Sequence, residues 1–159
     1  QPEGSLDTAV ERRLFEDGRF FTPDQRARFV FEEPTVAPER ASDRYPLVLL
    51  TGRGTTAQWH TQTRTGRSPV LAALGPEHLY VDMSPADAEA RGVKSGDTVA
   101  VTSRRGAVEA RVFVTPSVAT GQVFLPMHDR RINVLTAPGF DPYSRQPSYK
   151  HSAVQVAAV

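Results

Sequence analysis

The chain has 159 residues, 23% of them charged and 39% hydrophobic, with a formal net charge of +1. These values are typical of one globular domain. The absence of cysteine excludes disulfides, thiolate zinc sites and cysteine-ligated iron–sulfur clusters within the chain. The balanced charge gives no support for a nucleic-acid partner, and no apolar run approaches the roughly 20 residues of a membrane-spanning helix, so neither partner is expected. Because the chain begins at Gln1 and not at methionine, we expect a processed product or a fragment of a longer protein.

The first part of the chain predicts a small appendage. Apolar residues spaced four apart predict a helix over 5–16, and alternating apolar residues over 19–31 predict two short strands about a turn. The proline- and acid-rich stretch 32–46 is typical of a linker or surface crossing. We therefore expect an appendage over 1–40 and the main domain over 41–159.

The main domain combines short strands with two brief helices. Ser68 and Ser84 are each followed by proline and predict helix N-caps, while Gly75 and Gly92 predict the helix ends. The predicted strands, in chain order, are LVLLT, LYVD, TVAVTS, AVEARVFV, QVFLP and SAVQVAAV. Several short strands separated by turn signals predict a mainly β fold, a closed barrel with small helical insertions.

The loop TGRGTTAQWHTQTRTG, after the first strand, is the first candidate site. Its glycines allow positive φ and close backbone approach to a ligand, its arginines match phosphate geometry, and its tryptophan offers a stacking face. This combination favours a pyrophosphate that carries flat heterocycles. The alternative is a solvated threonine- and glycine-rich loop. The loop has neither the G-x-G-x-x-G pattern nor a Walker lysine.

Polar residues in later turns are weaker candidates. Asp97, in a turn before a strand, is predicted to cap backbone amides and not to act as a base. Arg104 and Arg105 at a hairpin tip are interpreted as solvated charges. Asn133 could read the edge of a heterocycle and Lys150 could neutralise a phosphate; the alternative is a turn asparagine and a surface lysine.

The histidines give little support for an independent enzyme. A small hydrolase that uses His60 or His128 would need a nucleophile beside the imidazole, and no G-x-S-x-G motif is present. His128 and Asp129 form a weak candidate dyad, because adjacent strand residues point to opposite faces. None of the four histidines has metal-ligand spacing, so no metal site is expected in this chain.

Taken in order, the segments LTGR…QWHTQTRTG, MSPADAEARGVKSGDTVAVTSRRG, INVLT and FDPYSRQPSYK resemble the C-terminal molybdopterin guanine dinucleotide-binding domain of the molybdopterin oxidoreductase family. The stretch RLFEDGRFFTPDQRARF resembles the segment just upstream in the same enzymes. The segments WHTQTRTG and FDPYSRQPSYKHSAV are most similar to the catalytic subunits of assimilatory nitrate reductases. Formate dehydrogenases and periplasmic nitrate reductases are close alternatives.

The resemblance implies a six-stranded double-psi β-barrel that binds a molybdenum bis(molybdopterin guanine dinucleotide) cofactor. It implies no catalytic residue within this chain. Met127 and His128 match positions near the substrate funnel. The positions that match cofactor contacts in the family are Thr51, Gly52, Arg53, Gly54, Gln58, Trp59, His60, Thr61, Thr63, Arg64, Thr65, Asn133 and Lys150.

These expectations give a function. The chain would hold the pterin dinucleotide as the C-terminal domain of a nitrate reductase of nitrate assimilation, located in the cytoplasm. The appendage would belong to the preceding domain, and the remaining domains of the catalytic subunit would be its partners. A cofactor of this size sits between domains, so we expect the isolated chain to be inactive and to bind the cofactor weakly or not at all. The alternatives are a free-standing double-psi barrel for protein interaction, or the same domain of a formate dehydrogenase.

Overall fold

The computed structural model describes residues 14–31, 33, 36–54 and 65–159, and the chain divides into two compact units, Gln1–Thr35 and Val36–Val159. The second unit contains the regular elements. Its strands are β1 (Leu47–Gly52), β2 (Tyr80–Met83), β3 (Thr98–Ser103), β4 (Ala107–Val114), β5 (Gln122–Pro126) and β6 (His151–Ala158). Its α-helices are α1 (Pro69–Ala73) and α2 (Pro85–Ala90), and its 3-10 helices are Thr65–Arg67 and Arg130–Val134.

The six strands form a closed barrel in the order β1-β5-β2-β4-β3-β6. β1 pairs in parallel with β5, and β2 pairs in parallel with β4, while the other four neighbouring pairs are antiparallel. Each parallel pair joins strands that are distant in the chain, so the connections between them must cross. This is the double-psi β-barrel that the resemblance implied, and the predicted fold is confirmed.

The barrel interior is filled by alternate residues of the strands, as period-two patterns require. In β1 every second residue is buried, beginning at Leu47, and β3 and β4 show the same alternation. Each fully buried aliphatic side chain stabilises the fold by about 1.5–3 kcal/mol. The largest side chains less than 2% exposed are Leu47, Leu49, Met83, Leu125, Ile132, Leu135, Val81, Val99, Val101, Val123, Val154 and Ser152.

Both helices start where the Ser-Pro pairs predicted. The Ser68 side chain accepts from a backbone N–H of α1, and the Ser84 side chain accepts from a backbone N–H of α2. Gly92 follows α2 with a φ of 63°, which is the left-handed conformation that glycine adopts without strain. α1 buries none of its residues, whereas α2 buries Asp87 and Ala88. Neither helix, nor any other in the described residues, is long and apolar enough to cross a membrane.

The predicted helix over 5–16 lies largely in 1–13, outside the described residues. Its described end is not helical, because 14–17 form a turn in which Phe15 has a φ of 58°. For these last residues the helix prediction is wrong. Positive φ at a residue with a bulky side chain is incompatible with a right-handed helix.

The prediction of two strands over 19–31 is also wrong, since this range contains turns and irregular backbone only. The turn is present: the Gln25 N–H donates to the Thr22 carbonyl at 3.0 Å. Phe29 and Phe31, the residues whose alternation suggested a strand, are 100% and 82% exposed. Alternation produces a strand only where a sheet edge and an apolar surface accept it.

From Val36 to Pro46 the stretch runs over the surface, as one of the two interpretations expected, since most of its residues are exposed. Glu39 and Tyr45 are buried at 9% and 7% exposure, and the contact division falls at Thr35/Val36, before the expected boundary after residue 40. A polar composition therefore concealed a segment bonded to the barrel. The assignment of the first unit to a preceding domain stays a prediction.

Candidate functional site

Three segments converge where β1 ends. The Thr51 hydroxyl is buried and donates to the carbonyl of Tyr149 at 3.0 Å, the residue before Lys150. On the other side of β1, the Gly52 carbonyl accepts from the Met127 N–H at 2.8 Å. Since β6 runs antiparallel to β1 and β5 runs parallel to it, the end of β5 and the start of β6 lie beside the end of β1.

Gly52 packs closely against Phe124. A Cβ at this position would lie 3.0 Å from the Cε2 atom of the Phe124 ring, so that the ring would have to shift to admit a larger residue. Gly52 does not use the positive φ that glycine allows. The close approach that glycine permits here is to Phe124.

His128 carries buried polar atoms without partners. It is 8% exposed, and within the described part of the chain neither ring nitrogen has a hydrogen-bond partner. Burial lowers the pKa of His128, and the nearby positive charge of Arg53 lowers it further, so the imidazole is neutral at pH 7. The dyad with Asp129 is absent, because the Asp129 carboxylate accepts from the N–H and guanidinium of Arg131.

Within the described ranges three further buried atoms are unsatisfied, and one of them is Oδ1 of Asp82 on β2. Among the described residues, the Thr65 hydroxyl and Nδ1 of His151 have no hydrogen-bond partner. Leaving such a group unpaired destabilises a protein by about 1–3 kcal/mol, so each indicates a missing partner. The atoms of His128, Thr65 and His151 suit a ligand with several donors and acceptors. The other predicted loop contacts, Gln58, Trp59, His60, Thr61, Thr63 and Arg64, lie outside the described residues.

The remaining predicted contacts lie on segments that flank this end of β1. Arg53 is exposed and Gly54 is half-buried directly after β1. Asn133 is exposed on the 3-10 helix that follows β5, and Lys150 is exposed one residue before β6. Met127 is half-buried next to His128. The strand directions therefore bring all five residues to the same end of the sheet.

The side chain of Glu39 takes part in bonds that join four segments distant in the chain. We call the residues involved the Glu39 cluster: Glu39, Arg104, Arg105, Leu135 and Ala153. Arg105 donates to both carboxylate oxygens, at 3.0 and 2.7 Å, and Arg104 donates at 2.7 Å. The Ala153 N–H donates to Oε2 at 2.9 Å. Arg105 also donates twice to the Leu135 carbonyl, at 3.2 and 2.8 Å.

These bonds keep the carboxylate ionised. Burial by itself would raise the pKa of Glu39, but the hydrogen bonds from Arg105, Ala153 and Arg104 outweigh burial and lower the pKa from 4.5 to about 2. Arg104 and Arg105 are exposed residues, as the interpretation of solvated charges requires, but both also pair with Glu39, which that interpretation missed. No local pattern could have indicated this, because the arginines lie 65 and 66 residues from Glu39.

A second buried carboxylate, Asp87, forms what we call the Asp87 cluster. It accepts from the Ser84 hydroxyl at 2.7 Å and from the Gly121 N–H at 2.7 Å, and it pairs with Arg91 at 3.2 Å. These contacts join α2 to the start of β5. None of the predicted site residues that the structure describes is bonded to this cluster.

Two other expectations concern turns and metals. Asp97 accepts from the Lys94 N–H at 2.9 Å, so its predicted capping role is confirmed. Over the ranges that the structure describes, no cluster of three or more histidine, aspartate or glutamate side chains could hold a metal ion.

Comparison with known proteins identifies what the chain is similar to. A family model described as the molydopterin dinucleotide binding domain matches residues 47–153, more than half of the chain. Subunit alpha of the F420-dependent formate dehydrogenase 1 of Methanococcus maripaludis is 36% identical over 140 residues, which are 87% of this chain and 20% of that protein. The periplasmic nitrate reductase of Desulfovibrio desulfuricans is 36% identical over 143 residues, covering 87% of this chain and 19% of that protein.

The solved structure of acetylene hydratase from Pelobacter acetylenicus has a similar fold. It superimposes with a TM-score of 0.60 at 15% identity, over 72% of this chain and 18% of that one. The chain thus spans about a fifth of the length of the curated relatives that it matches.

Proposed function

Because the chain belongs to the molydopterin dinucleotide binding domain family, we propose that it binds the guanine dinucleotide of a molybdenum bis(molybdopterin guanine dinucleotide) cofactor in a nitrate reductase. The chain is a domain of a larger catalytic subunit, as its coverage of the relatives indicates. The remaining domains of that subunit are its proposed partners. The isolated chain is proposed to be inactive.

The observation that carries this proposal is the set of unsatisfied buried atoms on His128 and His151, which lie beside the end of β1. The His128 imidazole and the Thr65 hydroxyl have no partner within the described residues, and the positive charge of Arg53 lies close enough to His128 to lower its pKa. Neutral imidazole offers one donor and one acceptor, and guanidinium pairs with phosphate oxygens in two parallel bonds. The residues present therefore fit a polyanionic ligand with polar rings.

Each residue has a distinct proposed part. Arg53 and Lys150 would neutralise the diphosphate, and Asn133 would bond to the edge of a ring. The Thr51 hydroxyl is already bonded to Tyr149, so its side chain would hold the backbone before Lys150 in place. When bound, the cofactor supplies the redox chemistry, while the protein supplies binding, orientation and electrostatics. Met127 and His128 would face the substrate.

Nitrate is the proposed substrate on the resemblance of WHTQTRTG and FDPYSRQPSYKHSAV to assimilatory nitrate reductases. The same resemblance supports a role in nitrate assimilation and a cytoplasmic location as proposals. Formate is the second candidate, because one curated relative is named a formate dehydrogenase and shows the same 36% identity as the nitrate reductase. Assays of the full-length subunit with nitrate and reduced viologen, or with formate and oxidised viologen, distinguish the two.

The cofactor contacts are tested in the full-length catalytic subunit. Arg53→Ala and Lys150→Ala should each accelerate the loss of the cofactor from purified subunit, followed by its bound guanine nucleotide content, by about tenfold, since each removes a charged contact to phosphate. Lys94→Ala, which removes an exposed lysine from a turn near Asp97, is the matched control and should leave the rate unchanged. A wild-type subunit without guanine nucleotide, or equal rates in all four proteins, would refute the proposed contacts.

A further inference from the structure

The Glu39 cluster connects the two segments that carry Asn133 and Lys150. We propose that Glu39 and Arg105 are positioning residues for the dinucleotide site: they contact no ligand themselves and hold these two segments in a fixed relative place. This inference rests on the proposed function, because it concerns how the same site is assembled. Asn133 and Lys150 are far apart in the chain, so a shared anchor is needed if both are to contact one ligand.

The first arm runs from Arg105 to the segment of Asn133. Two donors of Arg105 hold the Leu135 carbonyl, at 3.2 and 2.8 Å, and Leu135 lies two residues after Asn133. Leu135 is 0% exposed and Ile132 is 1% exposed. Buried residues on both sides of Asn133 and the bond from Arg105 to the Leu135 carbonyl therefore hold this segment in place, while Asn133 itself is exposed.

The second arm runs from Glu39 to the segment of Lys150. Oε2 of Glu39 accepts from the Ala153 N–H at 2.9 Å, just beyond the last β3–β6 pair, Ser103↔Val154. The carboxylate thus continues the bonding of β6 where β3 has ended. Ala153 lies three residues after Lys150, which spans at most about 10 Å of extended chain.

The two arms also meet directly. The Ala137 N–H donates to the Ser152 hydroxyl at 2.8 Å, and both residues are buried. This bond joins the segment after Asn133 to the segment after Lys150. Arg105 and Glu39 therefore close a loop of bonds that passes through Leu135, Ala137, Ser152 and Ala153.

The chain offers a matched control for the arm to Leu135. Arg104 also donates to Glu39, at 2.7 Å, but its other contacts are the Ser42 hydroxyl and the ring of Tyr45. Replacing either arginine removes one ion pair with Glu39. Only the replacement of Arg105 also releases the Leu135 carbonyl.

The experiment measures the rate at which the cofactor, followed by its guanine nucleotide, leaves the full-length catalytic subunit carrying Arg104→Gln, Arg105→Gln, Glu39→Gln or Asp87→Asn. The thermal midpoint of each protein is recorded in parallel. Arg105→Gln and Glu39→Gln should release the cofactor about tenfold faster than wild type, and Arg104→Gln less than about twofold faster. Asp87→Asn should lower the midpoint without changing the release rate, because its cluster touches neither arm.

The outcomes separate this inference from the proposed function. Equal release rates for Arg104→Gln and Arg105→Gln would overturn the positioning role. So would a release rate for Asp87→Asn that rises in proportion to its loss of thermal stability, because release would then follow stability alone. If Arg53→Ala and Lys150→Ala accelerate release and Arg105→Gln does not, the proposed function stands and the positioning role fails. If Arg53→Ala and Lys150→Ala have no effect, the proposed contacts fail and the positioning role fails with them. Should Glu39→Gln not fold, the two arginine variants still decide.

Discussion

The two buried carboxylates of the barrel unit, Glu39 and Asp87, are equally hidden from solvent but differ in the origin of their partners. Asp87 bonds to Ser84 and Arg91 on its own helix, and to Gly121, which lies 34 residues away. The partners of Glu39 lie 65, 66 and 114 residues away. Partners that lie close in the chain, such as Ser84 and Arg91, can be predicted from the sequence. The partners of Glu39 come together only after the barrel has closed.

The difference also separates structure from function. The Asp87 cluster fixes a helix to the start of a strand, and every polar atom of its carboxylate has a partner. The Glu39 cluster lies among the segments that flank Asn133 and Lys150, where buried atoms of His128 and His151 lack partners within the described residues. Unpaired buried atoms indicate a missing partner, so those of His128 and His151 support a ligand site beside these segments.

The largest effect is expected from Glu39→Ala. It should lower the free energy of unfolding of the chain by about 3–4 kcal/mol, because two arginines lose their counter-charge and the Ala153 N–H loses its acceptor. Urea unfolding followed by circular dichroism measures the change. A loss below about 1 kcal/mol would show that water replaces the carboxylate readily, and the contrast with Asp87 would then disappear.

The next effect is a dependence on pH. The pKa of Glu39 is about 2 in the folded chain against an ordinary 4.5, so its stabilising contribution is complete above about pH 4.5 and is lost as the pH falls toward 2. The difference in unfolding free energy between wild type and Glu39→Gln should therefore shrink by about 2–3 kcal/mol from pH 6 to pH 2.

Glu39→Gln is itself the control for other acidic groups, since Asp129 and Asp141 also have lowered pKa values and are present in both proteins. A difference that stays constant over this pH range would contradict the assignment of a low pKa to Glu39.

Asp87→Ala should destabilise the chain less, by about 2 kcal/mol. The substitution removes the acceptor of the Ser84 hydroxyl and of the Gly121 N–H. The loss is smaller because α2 is a short helix and because Arg91 can turn to solvent. Thermal unfolding of both alanine variants under the same conditions compares the clusters. A larger loss for Asp87→Ala than for Glu39→Ala would reverse the ranking.

Gly52→Ala should lower stability by about 1–2 kcal/mol, because the added Cβ meets the Phe124 ring. The double variant Gly52→Ala with Phe124→Leu should recover part of this loss relative to Phe124→Leu alone, since leucine leaves room for the methyl group. A double-mutant cycle of unfolding free energies measures the coupling. Additive effects would show that the glycine is needed for something other than Phe124.

The sequence predicted what is local and periodic. All six barrel strands, both serine caps and the turn at Asp97 follow from alternation, Ser-Pro pairs and Gly-Asp, and the structure confirms them. The double-psi topology was implied only by the family resemblance, because strand pairing is decided between residues far apart in the chain. Phe29 and Phe31 show the opposite case. Their alternation is a local strand pattern, but both side chains are exposed and no strand forms.

The same distinction between local and distant contacts applies to the prediction of the candidate site. The loop after β1 could be chosen from its composition, but the partners of Thr51 and Gly52 could not, since Tyr149 and Phe124 are 98 and 72 residues away. Glu39 was missed altogether, because a single glutamate between prolines and arginines resembles any surface segment. Its role became apparent only from its bonds to Arg105 and Ala153.

The smallest effect on stability is expected from the two serine caps, whose hydrogen-bond partners lie close to them in the chain. Ser84 is 3% exposed and its cap bond is 3.1 Å long, whereas the Ser68 bond is 3.4 Å long and α1 buries no residue. Ser84→Ala should therefore destabilise the chain by about 1–2 kcal/mol, and Ser68→Ala by about 0.5 kcal/mol or less. In thermal midpoints these amounts correspond to about 2–8 °C and at most about 2 °C. If the two variants unfolded at the same temperature, burial of the cap would have no influence on its strength, and the Asp87 cluster would owe its stability to the helix alone.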